Sequence, residues 1–473
     1  MRASLAVLLV IVFHTAALAD EPAPKRLDWE TGEGHSYWIP ALEVTGFVFS
    51  LNAVNRVIGG KDYDTDWDSF TRNLQTAPVY DKDPFSVNQI GHPYQGSIYY
   101  GFARSAGLEY WESLLYTLAG SFLWETYGET TPPSINDYIS TTIGGSFVGE
   151  ALFRMSSLLL EGGGEQPGFW RELGAAVISP STGFNRLAFG ERFKSTFPSR
   201  DPEIFIRLRA GATITSNITN DGLPNNARRQ EASLDYSITY GLPGRPGYRY
   251  TRPFDYFQFE FTAVPNADSV GNAVENLAIR GLLVGARYEL GDDYRGVWGL
   301  FGSYEYLSPQ VFRLATTAVS FGSVGQWWLS RSVALQASAL AGVGFGASGT
   351  VADPGERDYH YGVIPEALVA LRLIFGERAA LEGSVRQYFV AGVSSGGPPN
   401  DSFGPENVTR ANVGFTLRLY GPHAIGLTYV VTTRDARFAD QRDRHQSVET
   451  VSLSYNFLGH TRFGATEWRP DAR

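Results

Sequence analysis

Long segments in which apolar side chains alternate with polar or small ones fill the last two thirds of the chain. Each segment has apolar residues at every second position, and many segments run past ten residues. A tilted strand that crosses a membrane needs about 9–11 residues, with one face toward lipid and the other toward a wet lumen. The clearest segments are Ile204–Ile214, Leu234–Tyr240, Phe257–Phe261, Phe312–Ala318, Val363–Leu373, Val413–Leu419, Ile425–Val431 and Val451–Phe457.

With further segments near 276–290, 296–307 and 379–390, the pattern predicts about twelve strands between residues 201 and 457. The chain is therefore predicted to be mostly β, with an antiparallel outer-membrane β-barrel preceded by an α-helical N-terminal region. A soluble β-sandwich also alternates, but its strands are usually about five or six residues long. Residues 458–473 are predicted to form a C-terminal tail, because the last alternating segment ends before them.

The connections between these segments are of two lengths. Gly291–Asp293 and Ser330–Arg331 are short and predict tight hairpins. Polar connections at Ser216–Gln230, Ala391–Asn407 and Thr433–Arg444 are longer and predict extracellular loops.

Residues 1–19 have the pattern of a secretory signal peptide. Arg2 precedes an apolar stretch from Leu5 to Phe13, and Ala17-Leu18-Ala19 fits the small-residue cleavage pattern. The apolar stretch is too short to span about 30 Å of hydrocarbon as a helix, which disfavours a membrane anchor. The sequence thus predicts export, cleavage after Ala19 and an outer-membrane location. The absence of cysteine suits an oxidising compartment.

Charge limits the partners. The net charge is −10, so no basic surface is predicted to neutralise nucleic-acid phosphates. The expected partners are outer-membrane lipid and the barrel-assembly machinery, and a small-molecule or lipid ligand is compatible with a barrel lumen.

Residues 20–200 have helical periodicity instead. Residues 20–82 are expected to be partly helical and 83–200 mainly helical. Apolar residues recur at helical spacing from Leu108 to Tyr127. Ser134, with Asp137 three positions on, predicts the start of a helix that continues to about Leu160 and ends at the following glycines. Gly145 and Gly149 share one face of it, where another helix can approach closely.

Part of this region contains ordered sequence blocks that resemble a known family. The blocks are residues 91–97, 103–105, 111–113, 124–125, 133–137, 144–145, 149–150 and 183–186. On these blocks residues 83–186, a little over one fifth of the chain, resemble the bacterial DUF3943 family, a domain of unknown function, which implies no particular activity. His92, Glu125, Asp137 and the Gly145/Gly149 pair stand in an order that carries a weaker likeness to VanZ-like membrane proteins. That likeness implies helices around a polar centre at a lipid surface.

The ionisable residues of this region are predicted to form a structural polar network, because charges on apolar helices are unfavourable unless they are paired. His92, which precedes Pro93, is expected to have an extended backbone. The network is predicted to contain His92, Arg104, Glu112, Glu125, Asp137, Glu150, Arg154, Asn185 and Arg186.

The alternative is a catalytic site built from His92, Ser97, Glu125 and Asp137. The sequence contains no nucleophile elbow, zinc-protease helix or phosphate-binding loop motif. With seven histidines and no cysteine, neither a metal site nor a cofactor is predicted.

The preferred function is a non-enzymatic channel, transport or envelope structural protein of the outer membrane, with the helical region plugging or capping the barrel. One alternative is a membrane-embedded enzyme acting on lipid or cell-envelope material through His92 and Ser97. Another is an interaction protein with a periplasmic partner. The substrate is not identified by the sequence.

Overall fold

The computed structural model describes residues 25–221, 229–241, 243, 248–264, 273–351, 355–396, 403–438 and 442–459. It contains a helical region, residues 38–193, and a β-barrel, residues 204–458. The predicted signal peptide, its cleavage site after Ala19 and nearly all of the predicted C-terminal tail lie outside the described residues.

Eight α-helices and three π-helical turns make up the helical region as described. The π-helical turns are Val87–Gly91, Trp124–Gly128 and Ser140–Gly144. The helices are α1 Trp38–Ile58, α2 Trp67–Gln75, α3 His92–Ser105, α4 Tyr110–Leu123, α5 Ile135–Ile139, α6 Gly145–Glu161, α7 Phe169–Ile178 and α8 Pro180–Ala188. Two 3₁₀ turns, Lys61–Tyr63 and Gly190–Phe193, complete it.

The helix predicted after Ser134 is confirmed. The Ser134 side chain accepts a hydrogen bond from the Asp137 backbone N–H. From there α5, a π-helical turn and α6 form one helical run, Ile135–Glu161. By length and composition it is the one described helix that qualifies for crossing a membrane, although 78% of its most apolar window is buried inside the protein. Its two glycines allow close packing, since a Cβ at Gly145 would lie 2.6 Å from the Gly96 Cα of α3.

His92 has helical backbone angles, φ −63° and ψ −47°, so the prediction of an extended backbone there is wrong. The π-helical turn before it runs directly into α3. The buried contacts of the His92 ring outweigh the local bias of the residue before proline.

The predicted antiparallel barrel of about twelve strands is confirmed. Among the described residues, twelve strands close into a ring in which β1 pairs with β12 and every other strand pairs with its neighbours in sequence. The strands are β1 Ile204–Asn220, β2 Gln230–Tyr240, β3 Phe257–Ala263, β4 Val274–Leu290, β5 Tyr294–Leu307, β6 Phe312–Trp328, β7 Val333–Thr350, β8 Tyr359–Phe375, β9 Ala379–Ser394, β10 Glu406–Tyr420, β11 His423–Ala436 and β12 Arg444–Leu458.

The barrel wall is apolar on its outer face. In β12, Val451, Leu453, Tyr455 and Phe457 are exposed, whereas Thr450, Ser454 and Asn456 are buried toward the lumen. Exposed apolar side chains likewise line the outer faces of β9, β10 and β11. This alternation gives the barrel the surface that lipid requires.

In β6 the face predicted from the sequence is reversed. Phe312 and Leu314 point into the lumen, where they are buried, and Val319 and Phe321 are exposed on the outer wall. The apolar alternation beginning at Phe312 therefore belongs to an apolar layer inside the barrel.

The helical region packs against the outer wall of the barrel. Phe147 of α6 covers Gly302 of β5, and Phe85 contacts Tyr306 and Tyr359. Gly302 and Tyr306 lie on the same face of β5 as the exposed Trp298 and Leu300. Tyr359 lies on the same face of β8 as the exposed Val363. The covered outward residues belong to β1 through β8, and include Ile206, Ile238, Phe259, Ile279, Tyr304, Ala315, Phe345 and Tyr361.

The prediction that the helical region plugs or caps the barrel is therefore wrong. A helix with its side chains is about 10–12 Å wide, whereas the main cavity within the barrel measures about 170 Å³ and is lined by strand side chains. Instead, the apolar residues on the outer wall of the barrel are buried against apolar faces of the helices.

Candidate functional site

Charged side chains meet across the barrel lumen. Arg386 of β9 forms an ion pair with Glu260 of β3 at 2.5 Å, although five strands separate β9 from β3 in either direction. Arg207 of β1 reaches Glu382 of β9 at 2.7 Å. These pairs tie opposite walls together and narrow the interior.

The main cavity beside these ion pairs has an excess of positive charge. Among the described residues, six arginines and four carboxylates line it. The arginines are Arg207, Arg209, Arg280, Arg372, Arg386 and Arg410, and the acids are Asp235, Glu260, Glu275 and Glu382. Glu305, which lies beyond the lining, pairs with both Arg280 and Arg386, so the excess is about one positive charge.

An apolar layer crosses the lumen toward the end that carries the longer loops. Its members are contributed by six strands and are all nearly inaccessible to solvent. We call this set the lumen layer: Leu307, Phe312, Leu314, Ile364, Tyr388, Val390, Val408 and Val448. In the conformation described, side chains fill this part of the lumen.

A group of five charged residues, the arginine cluster, connects the helical region to the barrel. Glu150 of α6 accepts hydrogen bonds from Arg104 Nε at 2.9 Å and from Arg154 Nε at 2.7 Å. Arg154 Nη1 also donates to Asp255, just before β3, at 2.9 Å, and Asp255 accepts from Arg252 Nε at 3.1 Å. Two carboxylates and three guanidinium groups are thereby joined in a largely buried cluster.

Aromatic rings complete the arginine cluster. The guanidinium carbons of Arg104, Arg154 and Arg252 lie 4.7, 4.9 and 4.5 Å from the centre of the Phe197 ring. Cations over a ring face are stabilised by its quadrupole. The arginine cluster is suited to a structural role, because Glu150 and Asp255 are each already paired with two arginines.

A second buried group, the His92 triad, consists of His92, Glu125 and Asp137. His92 Nε2 lies 3.6 Å from Asp137 Oδ1, and one ligand atom from each of the three residues lies within 4.8 Å of the other two. His92 Nδ1 is 3.1 Å from the Thr141 hydroxyl. Glu125 Oε2 accepts from the Ser134 backbone N–H at 2.8 Å.

Ser97 is not part of the His92 triad. Its hydroxyl donates to the Tyr94 carbonyl oxygen within α3 at 2.6 Å. Ser97 lies five positions after His92, an offset that turns the two side chains to different faces of the helix. Of the predicted catalytic set, His92, Glu125 and Asp137 lie together, and Ser97 lies apart from them.

The predicted single network is likewise divided. Glu112, in the first turn of α4, accepts hydrogen bonds from the Glu109 backbone N–H and from the Tyr37 hydroxyl. Asn185 donates to Ser105, and Arg186 pairs with Glu172. These three lie apart from both the His92 triad and the arginine cluster.

Sequence reasoning missed the partners that come from elsewhere in the chain. Asp255 lies 101 residues from Arg154, and its position before a strand gives no periodic signal. Thr141 and Asp81 lie near the triad, and only the folded chain places them there.

Comparison with known proteins agrees with the domain resemblance. Residues 77–181 match the model of a family described as a domain of unknown function, DUF3943. No curated protein matches the chain. The VanZ-like likeness stays a prediction.

Solved structures similar to this chain include outer-membrane channels. The channel DcaP of Acinetobacter baumannii is 9% identical, with a TM-score of 0.26 over 54% of this chain and 96% of that one. The toluene transporter TodX of Pseudomonas putida is 11% identical, with a TM-score of 0.23 over 55% of this chain and 90% of that one. At these scores the barrel architecture rests on the strand pairing itself.

Proposed function

We propose that this chain is an exported outer-membrane protein, with a signal peptide cleaved after Ala19, whose barrel carries the helical region beside it within the lipid. The observation that carries this proposal is the polarity of the helices. In α4 the exposed residues include Trp111, Leu115 and Phe122, while Ser113 and Thr117 are buried. Helices that pack within lipid place small and polar residues in their contacts and apolar ones outside.

The same polarity recurs in other helices. In α1 the exposed side chains include Trp38, Leu42 and Val57, and Asn52 is buried. In α7, Trp170 and Val177 are exposed. Contiguous apolar surface of this extent is unusual on a protein bathed in water. The barrel then acts as an anchor and wall for the helical region, which is an envelope structural role.

The location is tested by fractionation and by labelling. The mature protein is expected in outer membranes and to migrate faster on unheated than on boiled gels. A photoactivatable lipid should label a reactive side chain introduced at Leu115 as strongly as one at Leu453. A reactive side chain at Lys194, on the exposed surface between the two regions, serves as the control. Recovery in the soluble periplasm, or labelling of the barrel alone, contradicts the proposal.

A second function is favoured by the arginine excess in the lumen, namely controlled passage of small anionic solutes. The cross-lumen ion pairs and the lumen layer oppose such passage until they move. Single-channel recordings distinguish the two roles. A pure anchor gives no conductance in wild type, and an anion channel gives chloride-selective openings that increase in Arg386→Ala.

The enzymatic alternative needs His92 and Ser97 together, but the Ser97 hydroxyl donates a hydrogen bond within its own helix. We expect no cleavage of phospholipid or lipid A by the purified protein that depends on Ser97. A lipid-cleaving activity lost in Ser97→Ala, with the barrel intact by heat-modifiability, would reverse this expectation.

A further inference from the structure

We propose that the His92 triad binds one divalent transition-metal ion, Zn²⁺ or Mn²⁺, inside the helical region. The three side chains come from three separate segments: the start of α3, the π-helical turn after α4, and α5. All three are buried, with 2–4% of their surface exposed. Their converging atoms include one imidazole nitrogen and two carboxylate oxygens.

The spacing of these atoms suits a metal ion. Ligand atoms about 2.0–2.2 Å from a common ion lie about 3–4 Å from one another. His92 Nε2 and Asp137 Oδ1 are 3.6 Å apart. This separation is long for a direct hydrogen bond but fits two ligands of one ion.

Glu125 supplies an independent indication. One of its oxygens, Oε2, accepts from Ser134, whereas Oε1 is buried and has no hydrogen-bond partner among the described residues. A buried carboxylate oxygen without a partner is unfavourable in a protein interior. Coordination of a cation shared with His92 and Asp137 satisfies it.

Charge balance points the same way. The arginine cluster surrounds Glu150 with two guanidinium groups. Within the described part of the chain, neither Glu125 nor Asp137 forms an ion pair with a lysine or an arginine, and His92 is the nearest basic group. One divalent cation offsets both carboxylates.

Further groups orient the ligands. The Thr141 hydroxyl meets His92 Nδ1 and so leaves Nε2 for the ion. The Asn136 amide donates to Asp137 at 3.0 Å and to Asp81 at 2.7 Å. Such outer contacts fix the orientation of metal-binding imidazoles and carboxylates.

The backbone around the triad is also unusual. Glu125 lies within one π-helical turn, His92 directly follows a second, and Thr141 lies within the third. Single π-helical turns inside helices are rare and are frequent at functional sites. Here two of the turns contain or adjoin the ligands Glu125 and His92, and the third contains Thr141, which contacts the His92 ring.

The donor set selects the class of metal. Calcium takes about 6–8 oxygen ligands, which is more than this group offers. Imidazole together with carboxylates suits Zn²⁺, Mn²⁺ or Fe²⁺. The site is separate from the lumen, so its presence does not depend on whether the barrel conducts.

The experiment uses the full mature chain in detergent micelles. The protein is stripped with a chelator, and Zn²⁺, Mn²⁺ and Ca²⁺ are titrated separately by calorimetry, with bound metal measured after gel filtration. We expect about one equivalent of Zn²⁺ or Mn²⁺, and much weaker Ca²⁺ binding. Glu125→Gln and Asp137→Asn should each weaken binding by more than about 100-fold, since even outer-contact changes typically weaken it 10–100-fold. Glu112→Gln, in the same region but outside the triad, is the matched control and should bind as wild type does.

A second measurement keeps the proposal testable if a variant fails to fold. Co²⁺ added to wild-type protein should give visible absorption bands of nitrogen and oxygen coordination, and Zn²⁺ should displace them. Added metal should raise the unfolding temperature of wild type and leave that of Asp137→Asn unchanged. Absence of stoichiometric binding in wild type, or retention of the metal by the Glu125→Gln/Asp137→Asn double variant, overturns the proposal.

Discussion

The helical region and the barrel both expose apolar side chains on their outer surfaces, but they do so by different patterns. In the barrel every second residue faces lipid, as with Leu453 beside the buried Ser454. In the helical region whole helix faces are apolar and exposed, while serine and threonine are buried. Exposed apolar side chains therefore mark the outer surface of both regions, although large apolar side chains such as Phe102 and Phe147 are buried as well.

The two regions also treat buried charge differently. In the barrel, Arg386 pairs with Glu260 across a cavity that has room for water. In the helical region, the side chains of Arg154 and Glu150 are completely buried. An unpaired charge is therefore tolerated far less in the helices than in the lumen.

Disruption of the arginine cluster between the two regions should change stability most. Arg154→Leu should lower the free energy of unfolding by about 3–5 kcal/mol, because Glu150 and Asp255 each lose a buried partner. Denaturant unfolding, followed by tryptophan fluorescence, measures the change. Lys194→Leu is the control, since its pair with Glu191 is at the surface and is worth about 0–1 kcal/mol. Equal effects in the two variants would mean that the arginine cluster does not hold the regions together.

The next effect tests whether both outer surfaces face lipid. Leu453→Arg on the barrel should cost about 2–4 kcal/mol near mid-membrane, and Ser452→Arg, which points to the lumen, much less. Leu115→Arg on α4 should be destabilising to a similar degree as Leu453→Arg. Unfolding from lipid vesicles measures all three. If Leu115→Arg does not change stability, the outer surface of α4 faces water, and the two regions do not share a lipid-facing surface.

The smallest effect concerns the packing of α3 on α6. A Cβ at Gly96 would collide with the Thr141 carbonyl oxygen, so Gly96→Ala should lower stability by about 1–3 kcal/mol. Gly46 in α1 has open space around its Cβ position, and Gly46→Ala should raise stability by up to about 1 kcal/mol. Thermal unfolding of the two variants should shift in opposite directions, and shifts of the same sign would refute the close contact.

Much of the barrel was predictable because its signal is local. The outward set from Val451 to Phe457 follows directly from period two, and the Ser134 cap follows from a short motif. The face of β6 was not predictable in this way. Phe312 and Leu314 are as apolar as lipid-facing residues, and only the lumen layer explains why they point inward.

The position of the helical region was beyond local reasoning. Tyr304 and Tyr361 occupy outward positions whether lipid or another helix covers them. For the candidate site, sequence singled out His92, Glu125 and Asp137 but also grouped them with Ser97, Glu112 and Arg186. Convergence of three π-helical turns depends on helix packing, which a single sequence does not specify.

The outer-wall contact has a consequence for biogenesis. The helical region, made first, covers outward residues of β1 to β8, and the faces of β9 to β12 stay bare. The barrel closes where β12 meets β1. Docking of the helical region onto β1 to β8 can thus follow the order of synthesis. The last strands then pair beside a wall that the helices do not cover. The folded helices never have to pass through the barrel.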